Sequence, residues 1–341
     1  MRVAMYYNNR DVRLQEMPKP EIGSREILVK VISSGICGSD VLEWYRIKKA
    51  PLVLGHEIAG DIAAVGADVK GYKAGERVFV SHHVPCNTCR YCLAGEYTAC
   101  ETLQKTNFFP GGFSEYLKVP ELNVDRGIIK LPDEMSYDDG VFIEPLACIV
   151  RGHRTAQFKP GKTLLVIGSG IAGLLHVAMA KATGISRIIA SDISAYRLDA
   201  AKNLGADAVL NPSDKFLEEL LKINDGRKAD YIVVSTGAPA AFKQAMQCVD
   251  KGGTVLFFAP TSTGEPVPLP VNDYWRDGIK FIFSYGGAPE DLAAATELIR
   301  SKRIPVEKMI THRLGLAEAG LGFKLVSEAK ESIKVIIEPQ R

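Results

Sequence analysis

The sequence predicts an α/β protein in which a doubly wound parallel sheet of six strands is joined to a β-rich domain. Three observations carry that reading. From Met1 to Glu144 short strand-like runs are parted by Pro and Gly, residues 159 to 285 alternate strand-like and helix-like patterns, and a glycine-rich turn opens that alternation. At 341 residues the chain is too long for one ordinary core and has the length of two domains.

In the first domain, Ile27-Leu28-Val29-Lys30-Val31-Ile32 and the run Ile58 to Val65 read as strands of an antiparallel or barrel-like sheet with few helices. Lys159-Pro160-Gly161-Lys162 marks a break. Beyond it we expect a strand at 163–167, a helix at about 171–183, a strand at 187–192 and a helix at 195–204, then strands at 207–210, 230–236, 253–258 and 279–285. Leu164 to Ala180 is apolar enough to tempt a membrane reading, but Gly168, Gly170, Gly173 and His176 interrupt it, and strand, turn and buried helix explain it better. The tail from Ile304 has no further βαβ unit to feed, so its last strand, Val335-Ile336-Ile337, is expected to pack on the first domain. The expected boundaries are 1–150, 151–287 and a segment 288–341 whose latter part returns.

Adjacent imidazole and carboxylate groups stand in Gly55-His56-Glu57, with the thiol of Cys37 upstream and the carboxylate of Glu144 downstream. Thiolate, imidazole and carboxylate together suit a borderline-soft divalent ion, and zinc is the natural candidate. The pattern continues through Gly60, Gly66, Gly75 and Val78, which makes it far more specific than a His-Glu pair alone. A second cluster, Cys86-x-x-Cys89-x-x-Cys92-x7-Cys100, packs four thiols into fifteen residues with Pro85, Asn87 and Gly95 as turn formers. In a reducing compartment this spacing suits a closed tetrahedral zinc site, which is structural because no coordination position stays open; an iron–sulfur cluster is the alternative that metal analysis separates. His82, His83, His153 and His176 receive no metal role, and His312 is read as structural.

Leu164-Leu165-Val166-Ile167 runs into Gly168-Ser169-Gly170-Ile171-Ala172-Gly173, a G-x-G-x-x-G between strand and helix. Such a turn lets the backbone approach a pyrophosphate, while the helix start around Ile171 and Ala172 offers N–H groups to the anion. Nineteen residues beyond Gly173, Asp192 ends the second strand, where an acid accepts hydrogen bonds from ribose hydroxyls and repels a 2′-phosphate. NAD is therefore expected over NADP, with Arg197 close enough to oppose that preference.

The charge balance excludes other classes. Forty-two Lys and Arg against 40 Asp and Glu leave a net charge of +2, with no basic cluster to draw nucleic acid or an anionic membrane, so the expected partner is a small molecule. The opening residues have no apolar core of signal-peptide length, which points to the cytoplasm.

Taken in order, Cys37-Gly38-Ser39-Asp40-Val41, Gly55-His56-Glu57, the four-cysteine lobe, Glu144-Pro145-Leu146, Ser191-Asp192-Ile193-Ser194-Ala195-Tyr196-Arg197-Leu198 and Thr311-His312-Arg313 resemble the zinc-containing medium-chain dehydrogenases. The likeness spans nearly the whole chain and runs strongest to the sorbitol (L-iditol) dehydrogenase branch, with threonine dehydrogenase a near neighbour. It implies a GroES-like catalytic domain with a zinc lobe at about 84–102, split around a Rossmann nucleotide domain, with zinc in the cleft between. It further implies a catalytic zinc held by Cys37, His56 and Glu57, with Glu144 a fourth ligand or the partner of a metal-bound water, and a structural zinc in the lobe. Hydride transfer between a secondary alcohol and NAD follows, with Ser39 as first proton relay, as does assembly as a homodimer or homotetramer. An amino-alcohol dehydrogenase and a non-catalytic dinucleotide-binding protein are the alternatives.

The chain leaves the sorbitol dehydrogenase pattern at the substrate. Leu42 and Glu43 stand where that branch has His and an aromatic, and Ser284, beside Tyr285, replaces a substrate-contacting arginine. Both changes are expected to line the pocket and make it more acidic, favouring a cyclic polyol, a sugar derivative or an amino alcohol over sorbitol; the alternative is that Glu43 points to solvent and only trims an ordinary polyol pocket.

Overall fold

The protein was described from a computed structural model that covers residues 1–341. It divides into two compact units, residues 1–147 with 286–302 and 306–341, and residues 148–285 with 303–305. The chain passes from one to the other within the helix Ile143–Thr155.

The first unit is all-β in its framework. Its strands are β1 (Arg2–Asn8), β2 (Asp11–Glu16), β3 (Ile27–Gly35), β4 (Leu52–Val53), β5 (Glu57–Val65), β6 (Arg77–Val80), β7 (Tyr116–Val119) and β8 (Ile128–Lys130). β3 and β5 run antiparallel over their length, and their inward residues Ile27, Val29, Val31, Ile58 and Ile62 are almost fully buried with Val78, Val80 and Leu117. Alternation along a pleated strand is what puts these β-branched side chains on one face.

The second unit carries β9 (Thr163–Ile167), β10 (Arg187–Ser191), β11 (Ala208–Leu210), β12 (Ala229–Val234), β13 (Val249–Phe257) and β14 (Lys280–Phe283) in the order β11-β10-β9-β12-β13-β14, all parallel. The order reverses between β10-β9 and β9-β12, the switch point at which open parallel sheets bind ligands. Helices Ile171–Ala182 and Ala195–Asn203 follow β9 and β10, within a residue or two of expectation. Fully buried Leu165, Ile189, Ile232 and Val255 form the sheet core; each such side chain contributes about 1.5–3 kcal/mol through burial. The apolar stretch from Leu164 is thus strand plus packed helix, and no helix is long and apolar enough to cross a membrane.

Two last strands, β15 (Ile310–Gly315) and β16 (Lys334–Glu338), rejoin the first unit in the sheet order β15-β16-β3-β5-β6-β8, with β16 antiparallel to β3. Strand β13 begins four residues before the expected start, because Gly252 and Gly253 form an irregularity within the strand and not its beginning.

One buried polar feature of the second unit sets a pH dependence. His153 Nε2 and His176 Nδ1 lie 3.0 Å apart, with both rings buried against Phe158 and Phe258. Burial pushes the His153 pKa down to about 3 and that of His176 well below its ordinary value. Both stay neutral in the fold while the unfolded chain takes up protons below its ordinary value of about 6.5, so their contribution is complete above that pH and is lost as pH falls. Each should steepen the acid loss of unfolding free energy by about 1.4 kcal/mol per pH unit. Denaturant unfolding from pH 7 to 5 should show a shallower loss for the double variant His153→Leu/His176→Leu; equal slopes would refute the assignment.

Candidate metal centre and dinucleotide site

The ends of β3 and β5 build the first cluster. Gly35 pairs with Glu57 across the ladder, so Cys37 lies just past the end of β3 and His56 just before β5. The Cys37, His56 and Glu57 donor atoms lie within 4.8 Å of one another. Asp40, fully buried, organises them: its Oδ2 accepts the Cys37 N–H at 3.1 Å and its Oδ1 sits 3.4 Å from His56 Nδ1. With Nδ1 turned to that carboxylate, His56 can present Nε2 to a metal. Burial alone would raise the Asp40 pKa, but His56 and Arg46 hold it below the usual carboxylate value. Arg46 also donates to the Ser39 carbonyl and, at 3.1 Å, to the Ser39 hydroxyl.

Glu57 is 1% exposed and ion-paired with Lys334, itself fully buried. A Cβ at Gly35 would collide with the Glu57 carboxylate, so glycine is needed where β3 passes this pair. Lys334 was missed in the sequence, where its signal is a lone cation inside the apolar run Ile333 to Ile337. Glu144 occupies the first turn of helix Ile143–Thr155, half-buried in the same unit.

His82 and His83, given no role above, stand beside this cluster: the His82 ring is 4.8 Å from that of His56 and 3.7 Å from that of His83. Burial lowers both pKa values, that of His83 to about 4. Glu43 is exposed and its Oε1 accepts the Asn9 N–H at 3.3 Å, an engagement that holds it at the turn between β1 and β2. Ser284 lies just past β14 with its hydroxyl buried, and Tyr285 is 52% exposed. Both belong to the second unit apart from the donors above.

The four lobe cysteines also come together. Sγ separations are 3.9 Å for Cys86–Cys92 and 3.6 Å for both Cys89–Cys92 and Cys86–Cys100. Tetrahedral sulfurs about 2.3 Å from one zinc stand about 3.8 Å apart, so the donor set fits. Apart from the cysteines, the lobe cluster holds only Leu103 and Tyr97.

In the second unit, Gly168 has φ +93°, and a Cβ at Gly173 would strike the Gly168 carbonyl. The helix Ile171–Ala182 begins at Gly170 with no side chain capping it, which leaves its first N–H groups for an anion. Asp192 Oδ2 accepts the Ser169 N–H at 2.7 Å and Oδ1 the Ser194 N–H at 2.9 Å, so the acid is fixed against the glycine turn. A Cβ at Gly170 would lie 3.8 Å from Arg197 Nη1, which puts that guanidinium beside the turn. The Ser235 hydroxyl, unnoticed in the sequence, pins the turn through the carbonyls of Ile167 and Gly168.

Comparison with known proteins agrees. A family model described as alcohol dehydrogenase GroES-like domain matches residues 23–133, and one described as zinc-binding dehydrogenase matches residues 172–301. The chain is 32% identical to a sorbitol dehydrogenase of Bacillus subtilis over 354 residues, covering 100% of this chain and 98% of the relative. It is 32% identical to the sorbitol dehydrogenase of Ovis aries over 339 residues, covering 96% and 93%. Among solved structures, galactitol-1-phosphate dehydrogenase from Escherichia coli superposes with a TM-score of 0.87 at 28% identity, covering 99% of this chain and 100% of that one. With both halves matched and relatives aligned nearly end to end, the chain belongs to the zinc-containing medium-chain dehydrogenase family.

Proposed function

We propose that the protein is an NAD-dependent zinc dehydrogenase that oxidises a secondary carbinol of a polyol or sugar derivative. The observation that carries this is the convergence of Cys37, His56 and Glu57 within 4.8 Å in one unit, with an uncapped glycine-rich helix start in the other. Cys37, His56 and Glu57, with Glu144 as fourth ligand or water partner, would hold the catalytic zinc; Cys86, Cys89, Cys92 and Cys100 would hold the structural one. Gly168, Gly170, Ile171, Ala172 and Gly173 would take the pyrophosphate, and Asp192 the ribose, with Arg197 alongside. Zinc supplies Lewis-acid polarisation of the alcohol oxygen, and NAD accepts the hydride.

The residues of the chain prepare that step. Asp40 fixes the His56 ring, and Lys334 pairs with the buried Glu57 carboxylate and so offsets the cost of taking it out of water. Ser39 is half-buried and takes a hydrogen bond from Arg46, which leaves its own O–H free to pass a proton outward. Leu42 cannot continue that relay, so the next step falls to water.

The substrate reading shifts with the geometry. Glu43 is engaged at Asn9 and Glu57 is paired with Lys334, so two carboxylates of the expected acidic wall already have partners within the protein. That favours a neutral polyol over an amino alcohol. We further read the protein as cytoplasmic and as a homodimer or homotetramer: β14 is an edge strand, and Phe283, Trp275 and Val271 are 76%, 65% and 64% exposed.

NADH appearance at 340 nm with linear polyols, cyclic polyols and threonine should be strongest with a neutral polyol; no turnover of any alcohol would end the reading. Metal analysis should find two zinc ions per chain. Cys37→Ser should lose one of them with turnover while keeping the fold, whereas Cys89→Ser should lose the other and destabilise the lobe; a single zinc ion or iron would refute the pair. NAD should outperform NADP, and Asp192→Ala should narrow the gap by removing both the ribose acceptor and the repulsion of a 2′-phosphate. Equal kcat/KM for both cofactors in the unmutated enzyme would contradict this.

A further inference from the structure

The turn Ser81–Val84 holds an imidazole against the proposed metal site and fixes it firmly. Asn123, fully buried, donates from Nδ2 to the carbonyls of Ser81 and His82 at 2.9 and 3.0 Å, and the Ser81 hydroxyl donates to the His83 carbonyl at 2.8 Å. The His82 ring is thereby set 4.8 Å from His56, with the tilted His83 ring at 3.7 Å and Phe108 edge-on at 6.5 Å. In that setting His82 Nδ1 is buried and has no hydrogen-bond partner in the protein. Buried ring nitrogens are nearly always satisfied, and an exception beside a reaction centre marks a place that a ligand completes.

We infer that His82 hydrogen-bonds a second hydroxyl of the substrate, the one on the carbon next to the carbinol being oxidised, and so selects for 1,2-diol units. This rests on the dehydrogenase reading above. An alcohol oxygen held where Cys37, His56 and Glu57 converge leaves its vicinal hydroxyl within reach of the ring tilted against His56, whereas hydroxyls farther along the chain have no fixed relation to it. The His82 backbone is anchored at its own carbonyl and at the residue before, so the ring is already oriented before the substrate arrives, and little freedom is lost on binding. A mono-alcohol would leave the nitrogen unpaired. Sites built to pair with a substrate hydroxyl discriminate strongly against the analogue that lacks it.

The test uses the full-length zinc-loaded enzyme and two probes that differ by one hydroxyl, 2,3-butanediol and 2-butanol. The wild type should prefer the diol. His82→Phe, which keeps the ring packing, should lower the diol to mono-alcohol ratio of kcat/KM by ~10- to 100-fold, and His82→Asn should restore part of it. In parallel, the rise in Tm that 2,3-butanediol gives in the presence of NADH should be lost in His82→Phe, with zinc content still at two ions per chain. An unchanged ratio, or an equal loss on both probes, would overturn the inference. So would loss of zinc from His82→Phe, since His82 would then serve His56 and not the substrate. Wild-type enzyme inactive on every alcohol would remove the dehydrogenase reading itself.

Discussion

The antiparallel pairing of β3 with β5 is the contact on which the metal-donor cluster depends. Gly35 faces Glu57 in that ladder and faces Ile336 on the other side, so one register brings Cys37, His56, Glu57 and Lys334 to a common point. A slip of one residue would turn every side chain to the opposite face and scatter the donors. Hydrophobic burial enforces the register: Val29, Val31 and Ile58 cannot leave the core face without losing about 1.5–3 kcal/mol each. The chemistry of the site is thus set by a packing constraint acting some residues away.

Charge is handled within the same frame. Four buried or half-buried ionic groups, Asp40, Arg46, Glu57 and Lys334, form two opposite-charge pairs, and the His56 ring lies against Asp40. Isolated charges of this kind would cost several kcal/mol apiece, and pairing offsets most of that without adding much net stability. Their value lies in fixing orientation. Asp40 holds Cys37 and His56 at once, one through its backbone and one through its ring.

Much of this was legible in the sequence. The β-and-α alternation after Lys162 is strongly periodic, and strand β9 begins one residue before its apolar run and ends with it, at Ile167. The four cysteines are close in sequence, so their convergence needed no tertiary information. What escaped were residues whose roles come from distant contacts. Lys334 meets Glu57 across 277 positions, and His82 reaches His56 only because β5 and β6 are neighbours. Glu43 is similar: from the short helix Glu43–Arg46 it meets Asn9, a contact that its neighbours in sequence do not announce. Within β13, the glycine pair looked like a strand start because a two-glycine irregularity inside a parallel strand leaves no local signature.

The late arrival of β16 has a consequence for how the protein is made. β16 lies between β15 and β3, inside the sheet and not at its rim, so the N-terminal strands cannot be closed by anything synthesised early. Translation at ~5–20 residues per second puts roughly 14 to 55 s between the emergence of Glu57 and that of Lys334, 277 residues later. For that interval the nascent chain carries a carboxylate whose counter-ion does not yet exist, beside a thiol and an imidazole, while the sheet of residues 163–283, contiguous in the chain, can already complete itself. The nucleotide-binding half is therefore the first to become a finished structure on the ribosome, and the catalytic half closes around its metal donors only once β16 has left the tunnel.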